Sequence, residues 1–196
     1  MRRAVTVAGM QRELVERAIG GDHEAFSQLV DASTDRLYAV ATLILRDSDR
    51  AQDAVQDALV SAWRGLSALR DPDAWGAWLH RLTVRACLQQ ARREKRRRLV
   101  ELQVKPDHEA SGADDAPMAL AERDRIERAL DRLPIEQRAV IVLHYHLGLP
   151  LAEVAPILDI PVGTASSRLH RGLAALRRSM NTAAEAQLVN APERAS

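Results

Sequence analysis

Seven consecutive residues, Arg92–Arg98, read RREKRRR, six cations around one carboxylate. With the acidic stretch that follows it, such a run suggests two faces of one large partner being matched, or equally a solvated helix end before an ordinary polar linker. Leading into it, Trp75, Trp78, Arg81 and Arg85 add ring faces and further cations, with Arg92, Arg93, Lys95 and Arg96 as the charges nearest the run's core. A second group, Thr164, Ser166, Ser167, Arg168, His170 and Arg171, places hydroxyls, an imidazole and guanidinium forks within one short stretch. On a helix, that set suits the major groove, where Arg reads guanine and hydroxyls reach phosphate or base. The third group, Asp53, Gln56 and Asp57, puts acceptors at i, i+3 and i+4. With no neighbouring cation a solvated pair of carboxylates would repel mildly, which favours an external partner.

The remaining reactive residues point away from catalysis. His144 and His146 are two apart on an expected helix and face different sides, a poor metal pair. Cys87 lies among Leu82, Val84 and Leu88, the setting of an inert thiol. Phosphate-cradling, dinucleotide, zinc-protease and nucleophile-elbow motifs are absent from the sequence. No catalytic residue, metal or cofactor is expected.

The elements that must position these groups are helical. Aromatics make up 3% of the 196 residues, and Ala, Leu and Arg take their place, which favours helix over sheet. A single cysteine suits a reducing cytoplasm, and the longest uncharged run, 139–152, is too short to span a membrane. The expectation is a soluble cytoplasmic protein, all-α, with two small helical domains: a bundle over 10–98 and a helix-turn-helix domain over 118–180. The stretch 99–117 between them is acidic, Pro- and Gly-bearing and poor in apolar residues, and reads as a flexible linker.

In the first domain, Met10–Ile19 forms a short helix stopped by Gly20 and Gly21. Asp22 can cap a second helix, whose Phe26, Leu29, Val30, Leu37, Val40, Ala41 and Ile44 recur on one stripe. Asp49 and Gln52 have capping-box spacing for a third helix through Leu66, with Trp63 in the core. Asp71 and Pro72 start a fourth through Leu88; its spacing allows a break near Arg85 and packs Trp78 on Leu82. In the second domain, Leu120–Leu133 carries Ile126, Ala129, Leu130 and Leu133 on one face, and Pro134 restarts the chain into Ile135–Leu147. The helices Leu151–Leu158 and 162–180, joined by Asp159–Pro161, are the sequence picture of a helix-turn-helix. At 100° per residue the last helix turns Val162, Ala165, Leu169, Leu173 and Leu176 inward and Ser167, His170 and Arg171 outward.

Four segments resemble the extracytoplasmic-function sigma factors of bacterial RNA polymerase. Gly148–Gly172 is similar to the family's second domain, with its PVGT-x-x-SRLHRA pattern matched at Pro161–Thr164 and Ser167–Arg171. Leu133–Leu143 resembles the family's LP-x-x-x-R helix, Asp49–Trp63 its D-x-E-D-x-V-Q-E-x-F-x-x-A-W helix, and Trp78–Leu82 its WL-x-R-I helix. The resemblance implies a transcription initiation factor that directs core RNA polymerase to −10 and −35 promoter elements. It assigns Asp53, Gln56 and Asp57 to docking on the coiled coil of the largest core subunit. It assigns Trp75, Trp78, Arg81, Arg85, Arg92, Arg93, Lys95 and Arg96 to the −10 element. The −35 element falls to Thr164, Ser166, Ser167, Arg168, His170 and Arg171. Arg85 and Gln89 stand where many members have Asn and Asp, and Ser166 replaces a frequent cation. Implied partners are core RNA polymerase, including its flap region, promoter DNA and an anti-sigma factor, with no membrane insertion; the acidic linker would run through the core's nucleic-acid channels. The competing class is a stand-alone helix-turn-helix regulator, which would leave the 53–57 face and the basic run idle.

Overall fold

The structure, a computed structural model, describes residues 7–102, 126 and 128–189. All regular structure among these residues is helical. The first domain holds α1 (Val7–Ile19), α2 (His23–Leu45), α3 (Ser48–Gly65) and α4 (Trp75–Leu102). The second holds a helical turn over 128–131, α5 (Ile135–Ile141), a π-helical turn (Val142–His146), α6 (Leu151–Leu158) and α7 (Val162–Val189). The expected linker lies almost wholly outside the described residues.

Local chemistry explains most boundaries. Asp22 caps α2, its carboxylate accepting from the Ala25 N–H at 3.1 Å. The helix ends with Arg46 in the left-handed region (φ 57°), donating its N–H to the Thr42 carbonyl. The cap of α3 is Asp47, which accepts from the Arg50 N–H at 3.0 Å, so the helix opens before the Asp49/Gln52 pair expected to open it. Asp71 and Pro72 begin a 3₁₀ turn (Pro72–Ala74) that delivers the chain into α4. α4 then runs unbroken through Arg85: its 28 residues contain neither Gly nor Pro past Gly76. The turn after α6 closes by a Schellman arrangement, Ile160 N–H to Ala155 carbonyl and Asp159 N–H to Pro156 carbonyl, with Asp159 at φ 57°.

One apolar core is shared by both domains. Val15, Leu37, Ile44, Trp75, Leu79 and Val84 from the first join Val140, Leu143, Val154 and Ile157 from the second. Of the α2 stripe, Leu29, Leu37, Val40, Ala41 and Ile44 are buried, and Phe26 and Val30 half-buried. Two residues expected inside are outside: Ile126 is 43% and Val162 49% exposed. Val162 opens α7 among exposed neighbours, Pro161 before it and Gly163 after it. α6 packs on both α4 and α7, and α2 packs on α5. At Gly172 the backbone of α7 comes so near α5 that an added Cβ would lie 2.7 Å from Ile141 Cδ1.

Candidate nucleic-acid and partner interfaces

α3 turns its small residues inward. Ala51, Ala54, Val55, Ala58 and Ala62 are buried, which lets α2 and α4 pack close on either side. Asp53, Gln56 and Asp57 therefore all face solvent. The fold supplies a cation that the local sequence lacks: Arg93 of α4 lies 3.5 Å from Asp57. Both partners are more than half exposed, so this pair holds its geometry weakly and leaves the carboxylate available. Next along the same face, Val60 is 49% and Trp63 37% exposed. Trp63 is thus not the core residue expected; its ring leans on Phe26 (centroids 4.8 Å apart) and His23 (4.6 Å), keeping one side open. Asp53, Gln56, Val60 and Trp63 are spaced three, four and three. That is a seam of coiled-coil type, acidic at its start and apolar at its end. Their spacing is visible in the sequence; the exposure of its apolar half is not.

On α4, Leu79, Thr83, Val84, Ala86 and Cys87 are buried. Arg85, Gln89, Arg92, Arg93, Lys95 and Arg96 are exposed, and Arg81 is half-buried. Arg81, Arg85, Gln89, Arg92 and Arg96 follow one another every three or four residues, one ridge down an unbroken helix. Trp75 does not join it. Expected to offer a ring to DNA, it is instead wholly buried, edge-on to Phe26 at 6.2 Å, and cannot stack on a base here. Trp78 is half-buried over Trp75, with Leu82 in the same packing layer and Gly65 beneath its ring. Cys87 is buried and desolvation pushes its thiol up to about 12, so it stays protonated.

On α7, Ala165 and Leu169 are buried against the domain. Ser167, His170 and Arg171 are exposed, while Thr164, Ser166 and Arg168 are half-buried beside them. The exposed groups fold onto their own helix. Arg171 donates Nε to the Ser167 carbonyl and Nη2 to Ser167 Oγ, both at 3.1 Å. His170 Nδ1 donates to the Ser166 carbonyl at 3.0 Å. The fork is therefore aligned along the helix axis and free to exchange a weak local acceptor for a base edge. His144, by contrast, is engaged structurally: Nδ1 donates to the Leu149 carbonyl at 2.7 Å across Gly148, which sits at φ 70°.

Comparison with known proteins covers both domains. Residues 29–97 match the family described as sigma-70 region 2, and residues 123–176 match sigma-70, region 4. The chain is 38% identical over 167 residues to the ECF RNA polymerase sigma factor SigM of Mycobacterium tuberculosis, covering 85% of this chain and 82% of that one. It is 32% identical to the ECF RNA polymerase sigma-E factor of Escherichia coli, covering 83% and 90%. Among solved structures, CnrH in complex with the cytosolic domain of CnrY superposes with a TM-score of 0.63 at 26% identity, covering 88% and 98%. The sigma factor RpoE in complex with the anti-sigma factor NepR from Bartonella quintana gives 0.64 at 26% identity, covering 80% and 96%.

Proposed function

Because the chain belongs to the extracytoplasmic-function group of the sigma-70 family, factors that direct RNA polymerase to promoters, we propose a division of that work among three of its surfaces. The α3 seam, Asp53, Gln56 and Asp57 extended by Val60 and Trp63, docks on the helical coiled coil of the largest core subunit. Its carboxylates take cations and its apolar end takes an apolar side chain. The α4 ridge, Arg81, Arg85, Arg92, Arg93, Lys95 and Arg96, holds the −10 strand, with the outer edge of Trp78 as its aromatic contact. Thr164, Ser166, Ser167, Arg168, His170 and Arg171 of α7 read the −35 element. An anti-sigma factor is a further partner of the same domains. The protein acts in the cytoplasm and performs no catalysis of its own; no helix among the described residues is long and apolar enough to cross a membrane.

The observation that carries this reading is the α3 seam, because a stand-alone helix-turn-helix regulator has no use for it. Replacing Asp53 with Lys and Gln56 with Ala should abolish association with core RNA polymerase while leaving the helical circular dichroism unchanged. Co-elution of the double variant with core at wild-type affinity would remove α3 from the interface. A protein that footprints its promoter without core would be the stand-alone regulator instead.

A further inference from the structure

Helices α1, α2 and α4 enclose a cavity of about 250 Å³ that none of the three proposed surfaces uses. Leu14 of α1, Leu29 and Leu37 of α2, and Leu79 and Trp75 of α4 make most of its wall apolar. Met10 also lines it and is 56% exposed, which marks the side on which it opens. A purely apolar cavity needs no occupant. This one carries polar groups that lack partners. Trp75 is wholly buried, and its Nε1–H has no acceptor. His80 Nε2 is equally cut off from solvent and also has no partner. The other ring nitrogen, Nδ1, is engaged by the Gly76 carbonyl four residues back. Burial, with the Arg36 charge beside it, keeps the imidazole neutral at neutral pH, so Nε2 is a bare acceptor. Arg36 lines the same cavity from the exposed side of α2, and no carboxylate pairs with it among the described residues.

These groups and this wall narrow the chemistry of an occupant. A hydrocarbon would leave the polar atoms bare, and inorganic phosphate would waste the apolar wall. A carboxylic acid brings a proton to share with His80 Nε2 and an anionic oxygen for Arg36, and its carbon body suits the leucines. An oxygen acceptor also suits the Trp75 N–H. The volume lies just under the range that holds drug-sized ligands, which limits the body to about ten non-hydrogen atoms. We propose that this cavity binds a small apolar carboxylic acid, its body among the leucines and its acid group at His80 and Arg36. Occupancy joins α1 to α2 and α4 and stabilises the first domain by mass action. The site stands on this geometry alone and does not depend on the initiation-factor reading.

Octanoate is the probe that tests it, with octan-1-ol as its uncharged counterpart, on the isotope-labelled full chain. The three tryptophans give three indole N–H signals. Trp63→Phe and Trp78→Phe, both at partly exposed rings, identify theirs and so leave that of Trp75. Octanoate should move the Trp75 signal furthest, and saturably. Octan-1-ol should bind about tenfold more weakly, for want of a charged hydrogen bond. Arg36→Gln, at an exposed position, should weaken octanoate about tenfold and leave octan-1-ol unchanged. Gly76 also lines the cavity, and a Cβ there would meet nothing within 4 Å. Gly76→Leu should therefore take up the space without a clash, abolish binding of both probes and leave the melting midpoint no lower. A Trp75 signal that never moves saturably would mean that the cavity holds water only. A response at Trp63 instead would put the probe on the exposed α3 seam and overturn the site. Equal affinity for the two probes, or no effect of Arg36→Gln, would overturn the acid. Wild-type binding by folded Gly76→Leu would overturn the cavity.

Discussion

His80 sits half-buried on α4, lining a cavity of about 250 Å³ among α1, α2 and α4 with Leu14, Leu29, Arg36 and Leu79. Burial first, and then the nearby Arg36 charge, hold its pKa below the ordinary 6.5. A histidine whose folded pKa is depressed contributes full stability above its unfolded value and loses it as pH falls below. Thermal stability should therefore drop as pH falls through 6.5, and His80→Gln should lose less between pH 7 and pH 5 than wild type does. Parallel melting curves across that range decide it; equal losses would free the imidazole of any role. Arg171 is the residue on which −35 specificity should turn. Arg171→Ala should weaken binding to the matched −35 duplex by about 1–3 kcal/mol if its fork leaves Ser167 for a base edge. Equal loss on matched and scrambled duplexes, measured in holoenzyme, would make it a phosphate contact.

Within α3, the first turn is secured by Asp47, and the role proposed for this element depends on it because every residue of its exposed seam is placed by the helix. Asp47→Ala should lower stability by about 1 kcal/mol, read as a shift of the denaturation midpoint. Asp49→Ala, which removes a carboxylate that caps nothing in this structure, should cost less. The reverse order would restore the Asp49/Gln52 box. α4 shows the complementary case. Its ridge is continuous because its interior lacks helix breakers, and the 3₁₀ turn before it aims Trp75 inward. The ring that spacing alone offers to DNA is used instead to anchor the ridge against α2.

At the scale of the whole molecule, charge is segregated along the chain: the cations of α4 are followed at once by the carboxylates of 101–117. On the proposed function those carboxylates accompany the chain through a cationic channel of the core. Replacing Asp107, Glu109, Asp114 and Asp115 with Ser should weaken holoenzyme formation or change early RNA synthesis. The defect should shrink at high salt, as screening removes the lost attraction. Both domains should stay folded, since all four positions fall in sequence between the two helical domains. Abortive and full-length transcripts from one promoter at two salt concentrations are the readout; an unchanged pattern would make the stretch a tether.

Helix identity, the Asp22 cap, the helix-turn-helix and the exposure of the polar and charged positions of α3, α4 and α7 were legible in the chain itself. Each depends on interactions within three or four residues or on a single helical period, and both are written in local order. Which tryptophan is buried was not legible, because Trp63 and Trp75 carry the same periodic signal; Phe26 of α2 touches both rings, and only Trp75 is further covered, by Trp78. Nor was the Arg93 cation beside Asp57, 36 residues away. Nothing near Arg138 marks its partner as a carbonyl at the end of α2, that of Ile44 at 3.0 Å. Such contacts arise only once two distant helix ends are brought together by a shared core, and the tertiary structure alone decides them.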